Sequence, residues 1–215
     1  MPTDNGGVGA LLAVWVEVPA DLKDDFDRWY LDEHLPERQG LPGFLSAKVF
    51  EPVDGGEQHV AFYELESLQA LETPEYDLLR QQPDTELGKH IRANWKNQNR
   101  RVYTLRSTNL KGGRRPLESP YLSAVRAGVL PGHEAELREW LDAEHSVRQV
   151  QVEGAEGYQG FEPVEAPFYF LHLWGLERPD VASSQAWADA RETPWRDKLA
   201  AIRGETTGVM LQPVG

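Results

Sequence analysis

Apolar positions along the chain recur in two rhythms, and the rhythms follow the same order in its two halves. Leu11 to Val18 is an apolar, β-branched run that reads as a strand, and Tyr121 to Leu130 is its counterpart. After Pro19-Ala20-Asp21 the spacing becomes helical, with Leu22, Phe26, Trp29 and Tyr30 on one face and Pro36 and Gly40 as the expected stop. Leu137, Trp140 and Leu141 form the matching face in the other half. Phe44 to Glu51 and Gln58 to Leu65 read as strands around Val53-Asp54-Gly55-Gly56, a hairpin turn. A second helix is expected from near Ser67, and a last strand at Arg101 to Leu105 and at Val209 to Gln212.

The parallel order reflects an internal repeat. Residues 11–67 laid over 122–178, a constant shift of 111, give 14 identities in 57 positions, clustered where WYLDEH faces WLDAEH and FEPV faces FEPV. Past residue 67 the register is expected to slip by nine residues and to return at Glu72-Thr73-Pro74 over Glu192-Thr193-Pro194. This organisation predicts a first repeat over 8–106, a linker over 107–119 rich in Gly, Pro, Ser and charge, and a second repeat over 120–215. The order βαββαβ is the ferredoxin-like unit. One unit leaves a sheet face uncovered, so the expected fold is α+β, two tandem ferredoxin-like repeats packing sheet to sheet as a pseudo-dimeric α+β barrel.

Composition narrows the chemistry. With 22 Lys+Arg against 35 Asp+Glu the formal charge is −13, which works against nucleic acid and anionic membrane surfaces, both of which need clustered cations. The absence of Cys excludes disulfides, thiolate metal sites and cysteine nucleophiles. The start MPTDNGG lacks a basic leader and the longest apolar stretch, Ala10 to Val16, is far short of a membrane span, so a soluble, cytoplasmic protein is expected. No HExxH, GxSxG or glycine-rich phosphate loop is present, and no metal site is expected.

The residues left to carry chemistry are histidines and aromatics. His34 and His145 close the first helix of each repeat; an imidazole titrates near neutrality and suits a general acid or base, and a helix end at a sheet edge can open into a pocket. The alternative for each is a packed imidazole supporting the helix end. Period-two alternation sets His59, Ala61 and Tyr63 on one strand face, and Phe168, Phe170, His172 and Trp174 on another. It also groups Trp15 with Ala13 and Glu17, and Arg126 with Ala124, opposite the apolar Val14, Val16 and Val18. These mixed faces are the expected pocket walls, with Trp29 and Tyr30 from the helix. His90, Trp95 and the basic segment around them belong to the extra length of the first repeat and are expected to cover the pocket or form an interface.

The string Phe26-x-x-Trp29-x-x-x-x-His34-x-Pro36, followed by Leu41-Pro42-Gly43-Phe44 and a strand, resembles the EthD-like branch of the dimeric α+β barrel proteins. The second repeat keeps a degraded form, His145-Ser146-Val147 and Val152-Glu153-Gly154. The resemblance implies a small-molecule enzyme among relatives that include cyclases, dehydratases, decarboxylases, lactone isomerases, cofactor-free monooxygenases, haem proteins of the chlorite dismutase type and barrels without catalysis. The leading expectation is a cofactor-independent lyase or isomerase acting on a hydrophobic, aromatic or polyketide-like substrate. His34 would serve as general acid/base, with Trp15, Trp29, Tyr30, His59 and Tyr63 around it. His145, His172, Trp174 and Arg126 would form a second site or a structural partner. The rivals are haem binding through His145 or His172, cofactor-free oxygenation, and a non-catalytic ligand-binding or assembly barrel. A homodimer of the two-repeat chain is an open expectation.

Overall fold

The computed structural model describes residues 6–167 and 169–215, so Phe168 lies outside the described residues. The chain divides into two compact units, one of Gly7–Thr104 with Gln212–Gly215, the other built on Leu105–Leu211. The first contains β1 (Ala10–Glu17), α1 (Lys23–Trp29), α2 (Leu35–Gln39), β2 (Phe44–Pro52), β3 (Gln58–Leu65), α3 (Pro74–Gln81), α4 (Glu86–Asn94) and β4 (Lys96–Leu110). Its antiparallel pairings give the sheet order β4-β1-β3-β2. The second contains β5 (Tyr121–Val129), α5 (Glu134–Trp140), α6 (Ser146–Val150), β6 (Ala155–Pro163), β7 (Tyr169–Leu176), α7 (Gln185–Arg191), α8 (Pro194–Leu199) and β8 (Arg203–Pro213). Its order, β8-β5-β7-β6, is the same. Each unit is thus a ferredoxin-like sheet with helices on one face, the α+β repeat expected from the sequence. No helix among the described residues is long and apolar enough to cross a membrane.

The turn before β2 and its counterpart before β6 show why the repeat keeps a glycine there. Gly43 and Gly154 sit at φ 77° and 84°, left-handed backbone that a side chain strains. A Cβ on either would also press on the next layer, 2.8 Å from the Ala70 Cβ or 2.6 Å from the Val181 Cγ2.

Three expectations are corrected. The helical run ends at Gly40 as expected, but it does not stop at Pro36. A single π-turn over Tyr30–His34 follows α1, with the Leu35 N–H bonded to the Tyr30 carbonyl five residues back, and Pro36 enters at the start of α2, where a missing N–H is tolerated. The second repeat has the same π-turn over Leu141–His145, closed by the Ser146 N–H on the Leu141 carbonyl. Second, the 111 shift continues beyond residue 67: the 3-10 turn Leu68–Glu72 matches Pro179–Ser183, and α3 matches α7. The two Thr-Pro pairs are instead N-caps of non-equivalent helices, Thr73 of α3 and Thr193 of α8, each accepting a backbone N–H three residues on. Their similarity comes from shared capping chemistry. Third, part of the expected linker is folded: residues 107–110 extend β4, and Pro116–Glu118 form a 3-10 turn that buries Pro116 and Leu117.

The helix-facing side of the first sheet carries Leu12, Val14, Val16, Ala61, Tyr63 and Leu65, joined by Phe26, Trp29 and Tyr30 in one continuous core. In the second repeat the core on that side falls into two clusters, Trp174, Tyr158, Val150 and Trp187 in one, and Leu137, Trp140, Leu141 and Phe170 in the other.

Candidate functional site

Between the first sheet and its helices lies a cavity of about 400 Å³. Leu12 and Val14 of β1 and Tyr63 of β3 form its floor, Trp29, Tyr30, His34 and Arg38 one wall, and Tyr76 and Arg80 of α3 another. Arg92 of α4, Trp95 and Arg100 of β4 close the remaining side, so the extra length of the first repeat lines the cavity. Gly88 lets α4 approach: a Cβ there would lie 2.8 Å from the Trp29 indole nitrogen.

The π-turn decides where His34 points. A regular helix would set it over Tyr30; the widened turn also brings it against Trp29, five residues back, with ring centroids 4.4 Å from Trp29 and 4.8 Å from Tyr30. His34 is 7% exposed. Neither ring nitrogen receives or donates a hydrogen bond to another described residue, and neither is sealed from solvent, so the imidazole presents a nitrogen to the cavity. Burial, then the Arg38 and Arg92 guanidiniums, hold its pKa well below the usual histidine value, which leaves it neutral and able to accept a proton at neutral pH. The Tyr30 and Tyr63 phenols beside it are pushed the other way by burial, Tyr30 to about 12, so both remain protonated donors.

Four arginines reach this cavity. Arg92 pairs with Asp84 at 2.9 Å and lies over the Trp29 and Trp95 rings, and Arg38 contacts Glu37 and donates to the His34 carbonyl. Arg80 rests over the Tyr76 ring and Arg100 approaches the Tyr76 hydroxyl at 3.4 Å; neither has a carboxylate partner among the described residues. These are two cations without a protein counter-charge beside an aromatic wall.

The second repeat has a cavity at the equivalent place, about 230 Å³, lined at equivalent positions by Val125, Trp140, Leu141, His145, Gln149, Trp174, Trp187 and Arg191. His145 stacks on Trp140 at 4.2 Å, repeating the five-residue pairing of Trp29 and His34. His172 adds a second imidazole, its Nδ1 sharing a 3.0 Å hydrogen bond with the Tyr158 hydroxyl. Burial holds both histidines neutral: His145 is driven well below its usual value by burial and then by His172 and nearby arginines, and His172 falls to about 3 through burial and Arg203.

The structure therefore brings His34, Trp29, Tyr30 and Tyr63 together around one cavity, and His145, His172 and Trp174 around the other. Trp15, His59 and Arg126 lie elsewhere. Strand pairing sets Trp15 against Val60 and Arg126 against Leu171, so the Trp15 side chain faces the far side of the sheet, edge-on to Phe62, and Arg126 projects to the corresponding side in its own repeat. His59 is on the cavity side but sealed beneath Phe26, with its Nδ1 2.9 Å from the Glu57 carbonyl. Alternation assigns faces within a strand; only the register between strands shows that the Trp15 face and the Tyr63 face are opposite. Sequence reading also missed Arg38, Arg80, Arg92 and Arg100, and in the second repeat Gln149, Arg191 and Arg203. One signal was available: Arg80 and Arg191 are related by the same shift of 111 as the histidines.

The cavity beside His145 and His172, about 230 Å³, is smaller than the ~300–1,000 Å³ typical of sites for drug-sized ligands.

No protein-family model matches the chain, and no curated protein matches it significantly. Among solved structures it is similar to a candidate monooxygenase from Fusobacterium nucleatum, at 10% identity over 97% of this chain and 93% of that one, TM-score 0.66. It is similar to an anthrone oxidase-like protein, at 14% identity over 96% and 92%, TM-score 0.65. A chlorite dismutase from Candidatus Nitrospira defluvii matches at 11% identity over 96% and 92%, TM-score 0.58. At this identity the likeness shows the fold: mixed α+β, of the ferredoxin-like dimeric α+β barrel class.

Proposed function

We propose that the protein is a cofactor-independent small-molecule enzyme of the EthD-like kind, working in the first repeat on an aromatic or polyketide-like substrate that carries an acidic group. The observation that carries this reading is His34, neutral, aromatic-packed and with an unclaimed ring nitrogen on the wall of a 400 Å³ cavity. The acidic group sits at Arg80 and Arg100, and the rings lie along Trp29, Tyr76 and Trp95. His34 takes a proton from a carbon or phenol activated by a neighbouring carbonyl, and the protonated Tyr30 hydroxyl donates to the oxyanion that forms. Burial, then Arg38 and Arg92, depress His34; an anion bound at Arg80 and Arg100 brings negative charge into the same cavity, which acts in the direction of raising the basicity of the imidazole. Returning that proton to another carbon gives isomerisation; delivering it to a departing hydroxyl gives dehydration, and the enolate can also close a ring. His34→Ala should lower turnover of such acids by about 10²–10⁴-fold while leaving binding near wild type; unchanged turnover would sink the assignment.

A second reading is oxygenation without a cofactor. The same enolate or phenolate is electron-rich enough to react with O₂, and several proteins of similar fold bear monooxygenase or anthrone oxidase-like names. Oxygen uptake during turnover distinguishes it from the lyase and isomerase reactions, which proceed equally under nitrogen.

A further inference from the structure

The second cavity carries two cations that its own walls leave unanswered. Arg191 and Arg203 reach it, and neither has a carboxylate partner among the described residues, whereas Arg196 pairs with Glu192. A guanidinium is a donor only, so the ligand must present acceptors. Trp140, Trp174 and Trp187 supply flat apolar walls.

From this we infer that the second repeat is a binding site for a monocyclic aromatic carboxylate, with the ring among Trp140, Trp174 and Trp187 and the carboxylate held by Arg191 and Arg203. The volume agrees. A cavity of about 150 Å³ accommodates benzene, and 230 Å³ leaves room for one ring and a carboxylate but not for a fused polycycle. The site is therefore narrower in what it accepts than the first cavity, and it stands on geometry of the second repeat alone, whatever reaction the first performs.

Benzoate is the probe. Calorimetric titration of the full chain with benzoate should give saturable binding that quenches tryptophan fluorescence, and benzamide, isosteric but uncharged, should bind at least about tenfold more weakly, since charge-assisted contacts are the stronger ones. Arg191→Gln with Arg203→Gln, both exposed and so compatible with folding, should weaken benzoate about tenfold or more. Arg80→Gln with Arg100→Gln in the first cavity should leave that binding event unchanged. The inference is overturned if benzoate fails to saturate, if benzamide binds equally well, or if binding is lost with the first-cavity arginines and kept with Arg191 and Arg203 altered.

Discussion

The two repeats put the same element order around two different cavities. At positions related by the 111 shift, Trp29 and His34 are kept as Trp140 and His145, and Arg80 as Arg191. Around them Tyr30, Tyr63 and Tyr76 become Leu141, Trp174 and Trp187, Arg38 becomes Gln149, and Ala61 becomes His172. Larger rings on β7 and α7 fill space, so the cavity falls from about 400 to about 230 Å³. All three phenols are gone, the Tyr30 hydroxyl among them. What the repeats share is the device that aims the imidazole, a π-turn that stacks it on a tryptophan five residues earlier. What differs is the chemistry placed opposite it. A duplicated scaffold can therefore retain the positioning of a functional side chain while the surroundings diverge.

The largest test of this contrast is catalytic. His34→Ala should lower kcat by about 10²–10⁴-fold on a turned-over substrate, the range expected for loss of a general base, while His145→Ala leaves it near wild type in steady-state kinetics. Equal losses would make the two cavities functionally alike.

Next is acid sensitivity. His172 and His145 have folded pKa values below their unfolded ones, so the unfolded chain binds more protons as pH falls. Their stabilisation is complete above about pH 6.5 and is lost on descending towards pH 3. Urea midpoints measured from pH 7 to pH 4 should fall more steeply for wild type than for His145→Gln with His172→Gln. The slope should change less for His34→Gln, which removes one such group. A larger change for His34→Gln would reverse the ordering of the repeats.

A smaller and symmetrical effect is expected at the conserved turn. Gly43→Ala and Gly154→Ala each force a side chain into left-handed backbone and into the neighbouring layer, and each should lower stability by about 1–3 kcal/mol in urea unfolding. A marked inequality would show that one repeat relaxes where the other cannot.

The smallest difference lies in the ion pairs made by a repeated glutamate, whose cations come from non-equivalent positions. Glu51 receives Lys23 at 2.9 Å, and its counterpart Glu162 receives Arg138 through two hydrogen bonds. All four groups are partly exposed, so each pair is worth at most about 1 kcal/mol. In chemical denaturation Glu162→Gln should exceed Glu51→Gln by a few tenths of a kcal/mol, because the bidentate guanidinium geometry is the more specific.

Much of this was legible in the chain. Strand and helix periods, the Gly43 and Gly154 turn and the 111 shift follow from local rules: apolar spacing, left-handed turns that need glycine, and repetition. The histidines were found because they repeat. The register beyond residue 67 was misread because Thr-Pro marks any helix start, and capping chemistry recurs without common descent at that position. The arginines were missed because charged residues at a cavity mouth look like any solvated surface. Trp15 and Arg126 were misplaced because the period of a single strand carries no information on how it pairs with the next.

By itself, then, the sequence determined two ferredoxin-like repeats, the exclusion of thiol chemistry and the identity of the two helix-end histidines, since each rests on spacing within a short segment. The tertiary structure decided which faces meet across β1 and β3, how a π-turn aims each imidazole, and which cations gather beside it. Those depend on register, on a one-residue widening of a helix and on the approach of α3, α4 and α7, and all three are set by packing between segments far apart in the chain.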